Sequence, residues 1–391
     1  MTKSSSLPDY SALRGNVSFL GRLLGETIAA AEGEEFLDLV EQIRGLSKTA
    51  RGESEVAGES LLSVLRNLQS EQLVPVARAF SQFLNLANIA DQYNTISRSM
   101  DPLLSASRNL AGGLRELVAE GVSPDTIAAA VNALKIDLVL TAHPTEITRR
   151  TLIHKHSEIG RVLGQLELRG HTEREIENLH NRLRELIAQI WYGDDFRLER
   201  PSPVDEAKWG FAVVEESLWR AVPEFLRRLD TALVDTCDVH LHLEAAPVCF
   251  STRMGGDRDG NPNVTAQVTR EVLALSRWQA VDLYLADVLQ LVEELSMTTC
   301  SGAMRELAGD AHEPYREVLR RLRDMLRHTR ASIEAELAGE PALEGEMLHS
   351  EDQLWQPLHG CYQSLLECGM DRIANGALLD LLRRVRCFGV Y

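Results

Sequence analysis

The sequence predicts a mostly α fold that carries two strand–loop–helix units of the kind from which α/β barrels are built. Three observations lead there. Apolar residues recur at three- and four-residue steps along most of the chain. Two short β-branched and apolar runs, Ile136 to Leu140 and Pro247 to Thr252, interrupt that pattern. Each run stops at a loop rich in turn formers and charge, and a new helical pattern follows it. With 44% hydrophobic residues in 391, the chain can bury a sizeable core.

Taken in order, Ser11 to about Ala50 reads as two helices, with Leu13, Phe19, Leu20, Leu23 and Leu24 on one face and a polar break at Glu32 to Glu34. Arg51 to Gly58 reads as a charged loop. Leu61 to Leu68, Leu73 to Tyr93 and Leu103 to Ala119 are helical patterns, and Ser123-Pro124-Asp125 is a capped start with proline at the first helical position. After the first strand, Ile147 to Leu168 and Glu173 to Trp191 are helical again. Val214, Leu218, Val222, Phe225, Leu229 and Leu233 form one amphipathic face, and Pro223 is expected to kink that helix. Further helices are expected from Thr265 to about Ser296 and from Tyr315 to Glu336. Leu337 to Met347 is the clearest loop, and Val385 to Tyr391 is a possible third strand stub.

The chemistry concentrates in the loops after the two strands. In Thr141-Ala-His-Pro-Thr-Glu146, Pro144 pushes His143 towards extended backbone, Thr145 can cap the next helix and Glu146 can sit in its first turn. On these residues alone His143 is either a loop histidine satisfying a hydrogen bond or a base at a strand end. The second loop, Met254 to Asn263, has Gly255, Gly256 and Gly260 for positive φ and close approach of backbone to a ligand, with Asp257, Arg258 and Asp259 among them. Arg149, Arg150 and Arg258 are local cations able to meet phosphate or carboxylate oxygens, and Arg258 can instead brace the loop through Asp257 or Asp259. Asp194, Asp195 and Arg197 form either a solvated loop with an internal ion pair or a set of ligand contacts.

Other classes are disfavoured. A net charge of −17 argues against non-specific binding to nucleic acid or anionic membranes. Six cysteines without Cys-x-x-Cys spacing suit reduced thiols, and no apolar signal core or membrane-length run appears, so the expectation is a soluble, cytoplasmic protein. Asp257-x-Asp259-Gly260 is no EF-hand, because the twelfth position is Val268 rather than glutamate. The glycines match neither a P-loop nor a dinucleotide fingerprint. His154 and His156 do not face each other on a helix, and His240 and His242, alternating on a possible strand, lack a third ligand nearby, so no metal site is expected within this chain.

Val139 to Glu146 together with Met254 to Asn263 resembles the paired N-terminal signatures of phosphoenolpyruvate carboxylase, and Pro201 to Trp209 is similar to that family too. The likeness continues from near Tyr10 through Glu351 to Tyr362 and Asn375 to Val390. It implies an α/β barrel of that family's type, incomplete here, with a helical region at 1–135 and the start of the barrel with inserted helices at 136–391. Family members are more than twice this long, so the chain looks truncated where it stops at Tyr391.

The resemblance also implies an activity: carboxylation of phosphoenolpyruvate by bicarbonate to oxaloacetate and phosphate, which supplies the tricarboxylic acid cycle and depends on Mg2+ or Mn2+. His143 matches the family's catalytic histidine, while Arg258, Gly255, Gly256 and Arg149 are the expected substrate-binding residues. The metal carboxylates, remaining phosphate-binding residues and inhibitor site of this allosteric enzyme are expected beyond Tyr391, and the full-length enzyme is expected to be a homotetramer. The chain alone is therefore expected to be inactive, and its strands to leave apolar faces partly uncovered. The alternative is a non-catalytic helical module that binds a partner subunit. One departure from the family pattern is Arg253, where tryptophan usually stands and supplies an apolar wall.

Overall fold

The computed structural model describes residues 11–51, 55–99, 110–141, 150–168, 170–193, 201–258, 261–341 and 343–390. They form two compact units: Met1–Ala106 with Arg149–Arg197, and Ser107–Thr148 with Leu198–Tyr391.

The first unit is helical. It contains α1 (Ser11–Glu32), α2 (Glu34–Ala50), α3 (Glu55–Arg66) and α4 (Ser70–Ser99), with α7 (Arg150–Glu167) and α8 (Glu173–Trp191) returning later in the chain. The break expected at Glu32 to Glu34 narrows to Gly33, whose φ of 92° no ordinary side chain adopts readily. The expected charged loop is shorter than Arg51 to Gly58, because α3 already starts at Glu55. Leu20, Leu23, Leu183, Leu186 and Trp191 are buried together, as their three- and four-residue spacing requires. Thr172 begins α8 with a capping box: Glu175 N–H donates to Thr172 Oγ1, and Thr172 N–H donates back to Glu175 Oε2.

The second unit holds α5 (Leu110–Ala119), α6 (Pro124–Ala133), β1 (Ile136–Leu140), α9 (Pro203–Val213), a π segment (Val214–Leu218) and α10 (Trp219–Cys237). After these come β2 (Val248–Thr252), α11 (Ala266–Glu294), α12 (Gly302–Ala308), α13 (Pro314–Ala338) and α14 (Glu351–Glu367). One helical turn (Asp371–Ile373), a second π segment (Ala374–Leu378) and α15 (Leu379–Phe388) end it. Ser123 caps α6 through Thr126 N–H at 3.2 Å, with Pro124 at the first helical position as expected.

β1 and β2 pair in parallel, Ile136 opposite Val248 and Leu140 opposite Thr252. Among the described residues they are the whole sheet, so the fold is mostly helical and no closed barrel is formed. Ile136, Leu138 and Val139 are 44%, 46% and 49% exposed, which agrees with the expectation of partly uncovered strands.

The expected third strand stub is corrected. Val385 to Phe388 belongs to α15, where Leu381, Leu382 and Val385 face the same core as Leu378 at the end of the π segment. That spacing buries a helical face and outweighs the short alternation at the end of the chain. Gly389, at φ 66°, ends the helix. His240 and His242 are also not on a strand: the residues from 239 to 246 carry no regular element.

A polar junction ties α10, α11 and α15 together. Pro223 has no N–H to offer the Trp219 carbonyl, and Arg384 Nε donates to that oxygen at 2.7 Å. Arg384 Nη1 also pairs with Asp287 at 2.9 Å, and Trp219 Nε1 donates to the same carboxylate oxygen at 3.2 Å. Beside them Tyr284, fully buried, donates to the Gly389 carbonyl at 2.6 Å. Burial outweighs the Arg384 charge and both hydrogen bonds and holds the Asp287 carboxyl above its ordinary value. Removing one member leaves the others buried and unmatched, so Asp287→Ala is expected to cost about 3–5 kcal/mol in urea unfolding at neutral pH. Because the folded pKa is the higher one, the Asp287 contribution favours folding in acid and is lost as pH rises above the unfolded value of about 4 through the folded value. Asp287→Asn is expected to flatten that part of the pH–stability curve.

Candidate active site

Parallel pairing brings the ends of the two strands side by side. Arg253 N–H, the first residue after β2, donates to the carbonyl of Leu140, the last residue of β1, at 3.2 Å. The chain therefore leaves β1 at Leu140 and β2 at Thr252 on the same edge of the sheet. His143 and Arg149, and Asp194, Asp195, Arg197, Asp259 and Gly260, lie outside the described residues.

The turn after β2 is built from local bonds. Gly256 N–H and Asp257 N–H both donate to the Arg253 carbonyl, at 3.1 and 2.9 Å. Those amides are thus engaged within the turn and form no open anion nest. Met254 N–H donates to Thr252 Oγ1 at 3.1 Å, and Thr269 Oγ1, in the first turn of α11, donates to the Gly255 carbonyl at 2.8 Å. Thr265 caps α11 through Val268 N–H at 3.3 Å.

The two glycines differ in why they are glycine. Gly255 is buried at φ 71°, and a Cβ there would lie 2.5 Å from Val272 Cγ2. Packing and backbone both demand it. Gly256 is exposed and a Cβ would meet nothing closer than 3.8 Å, so its smallness leaves the turn open rather than fitting a neighbour. Arg258 is exposed at the far side of the turn, and its carbonyl accepts Asn261 N–H at 3.3 Å. Its side chain does not brace the loop through Asp257; Arg253 approaches that carboxylate instead, at 3.8 Å.

Arg253 turns away from the apolar side, with 70% of its side chain exposed. The charge therefore does not enter the small cavity of about 130 Å³ behind the strand ends, lined by Leu140, Phe211, Phe250, Thr252, Met254 and Phe388. Phe250 and Phe388 stack there with centroids 4.8 Å apart, which seats α15 on β2. Sequence reasoning missed Thr269 and Gly210, and the packing role of Met254. A Cβ at Gly210 would collide with Met254 Cε at 2.0 Å, a contact across 44 positions that leaves no mark in local spacing.

All six cysteines are free, and burial pushes the Cys361 and Cys387 thiols up to about 12. Among the described residues no three or more His, Cys, Asp or Glu gather as a metal site, and no helix is long and apolar enough to cross a membrane.

Fold and site together define a mostly helical protein in which two parallel strands end side by side beside an apolar hollow, the second running into a glycine-rich turn. The family model for phosphoenolpyruvate carboxylase matches residues 13–391, and the chain belongs to that family. The phosphoenolpyruvate carboxylase of Yersinia enterocolitica is 54% identical over 387 residues, covering 97% of this chain and 44% of that protein. That of Yersinia pseudotuberculosis is likewise 54% identical with the same coverage, and that of Vibrio vulnificus is 53% identical over 98% of this chain and 44% of its own length. The chain thus spans 44% of the length of the curated relatives it matches.

Three substitutions separate the packing role from the surface role of this turn. Gly255→Ala is expected to destabilise the chain by about 2 kcal/mol or more in urea unfolding, and Val272→Ala in the same chain to recover only the steric part. Arg253→Ala is expected to change stability by less than about 0.5 kcal/mol in the same measurement, since its ion pair is long and exposed.

Proposed function

We propose that this chain carries the catalytic-histidine part of a phosphoenolpyruvate carboxylase, which joins bicarbonate to phosphoenolpyruvate and yields oxaloacetate and phosphate. The single observation that carries the reading is the common edge: the strand that runs into the His143 loop and the strand that runs into the Gly255–Gly256 turn are register partners. The 54% identity to carboxylases over nearly the whole chain supports the same assignment.

In this reading bicarbonate attacks the phosphorus, giving carboxyphosphate and the enolate of pyruvate. His143 takes the proton of carboxyphosphate, carbon dioxide leaves beside the enolate, and the enolate carbon attacks it. An imidazole suits that proton transfer because its ordinary pKa, about 6.5, lies near neutrality. Carbon dioxide has to be released away from water, and the apolar hollow behind Thr252 and Met254 is the kind of surrounding this requires. Arg258 and Arg149 would hold phosphate or carboxylate oxygens, with Gly255 and Gly256 letting the reactant approach.

The family's Mg2+ or Mn2+ would stabilise developing negative charge when bound, but the described residues do not fit it, so no step is routed through it. The half-exposed side chains of β1 support a sheet that continues into a full α/β barrel, with 136 as the start of that barrel after a helical region. A cytoplasmic homotetramer under allosteric control is the corresponding whole enzyme.

Two measurements test the proposal. The 391-residue chain is expected to give no oxaloacetate in an assay coupled to malate dehydrogenase. In a chain extended to the length of its relatives, activity is expected, and His143→Asn is expected to abolish carboxylation by at least about 100-fold. Full activity of the extended His143→Asn chain would remove the assignment.

A further inference from the structure

The glycine-rich turn after β2 is fixed from three sides, each by a contact within the second unit. Met254 lies in a notch on α9 that exists because Gly210 has no side chain: a Cβ there would come within 2.0 Å of Met254 Cε. Gly255 lies against Val272 of α11, where a Cβ would come within 2.5 Å. The third contact is a hydrogen bond, from Thr269 Oγ1 to the Gly255 carbonyl at 2.8 Å.

Packing gives little control over the peptide between Gly255 and Gly256. Neither flanking residue has a Cβ, so rotation of that peptide plane meets little steric resistance. Two hydrogen bonds hold it from opposite ends instead. Its N–H, on Gly256, donates to the Arg253 carbonyl at 3.1 Å, a bond made inside the turn. Its C=O, on Gly255, accepts from Thr269, 14 positions along the chain and in the first turn of α11.

The Thr269 hydroxyl favours the turn over its own helix. A helical threonine commonly gives its hydroxyl to the carbonyl four residues earlier. Here the Thr265 carbonyl already takes Thr269 N–H at 3.0 Å, and it lies 3.2 Å from Oγ1, farther than the Gly255 carbonyl does. A hydroxyl has one proton to give, and the shorter contact is to the turn. Gly256 follows directly. It is exposed, and a Cβ on it would meet nothing closer than 3.8 Å, so the direction in which the peptide is held sets which backbone face is open beside the strand ends.

We propose that Thr269 is a positioning residue for the reactant that approaches the Gly255–Gly256 turn: its hydroxyl holds the turn's peptide in the orientation that receives phosphoenolpyruvate. The inference rests on the carboxylase reading, and Thr269 acts through the turn rather than on the reactant.

Two measurements test it, the first without turnover. Thr269→Val keeps the shape of the side chain and removes the donor. In the 391-residue chain it is expected to quicken hydrogen exchange at the Gly256 amide by about 10-fold, with Thr269→Ser within about 2-fold of wild type. In the chain extended to the length of its relatives, Thr269→Val is expected to raise the KM for phosphoenolpyruvate by about 10-fold, and Thr269→Ser to keep it within about 2-fold. Loss of folded protein lowers kcat and leaves KM alone, so a merely structural role does not give that result. Should Thr269→Val not fold, Thr269→Ala takes its place in both measurements. Unchanged exchange, an unchanged KM in an active extended variant, or a serine variant that behaves like the valine one overturns the inference. An extended wild-type chain without carboxylase activity is a separate failure: it removes the carboxylase reading, and this role with it.

Discussion

The candidate site depends on one set of backbone hydrogen bonds, the parallel ladder between β1 and β2. Its ends are set by Ile136 N–H on the Pro247 carbonyl at 2.9 Å and Arg253 N–H on the Leu140 carbonyl at 3.2 Å. Side chains alternate across a strand, so a slip of one residue would move each loop by about 3.3 Å and turn every strand side chain to the other face. Phe250 would then leave its stack on Phe388, and Thr252 would leave the hollow. Side chains add one further tie across the pair: Ser251 Oγ donates to Asp137 Oδ1 at 2.9 Å.

Helices hold that ladder from one side. The junction of Trp219, Asp287 and Arg384 shows how a proline inside a helix becomes a tertiary tie. The missing N–H of Pro223 frees a carbonyl, and a distant arginine takes it. Arg384 also lies over the Trp219 ring, its guanidinium carbon 5.3 Å from the centroid. These groups sit next to the Phe250–Phe388 stack, so the buried polar contacts and the sheet share neighbours in one core. By contrast, the ion pair closest to the candidate turn, Arg253 with Asp257, is exposed and long, and contributes little.

Much of this was legible in local patterns. Helix limits at Ser123–Pro124, Glu173–Trp191 and Thr265 follow from capping residues, proline placement and apolar spacing, which act over a few positions. The strands followed from β-branched runs closed by turn formers. Misreadings arose where a short stretch fitted two periods. Val385 to Tyr391 reads well enough as a strand, yet the buried partners of Val385 lie three and four residues earlier in α15. His240 and His242 likewise alternate without any strand to pair with, and Asp230 engages His240 from the preceding helix.

The amino-acid order by itself determined most helix limits and both strands, and which two loops concentrate glycine and charge, because capping, proline and side-chain alternation are short-range effects. Only the tertiary structure decided that β1 and β2 are neighbours, and that Gly255 is held against Val272 while Gly256 stays open. Those outcomes come from backbone pairing and close packing between residues far apart along the chain, and no periodicity within one segment encodes them.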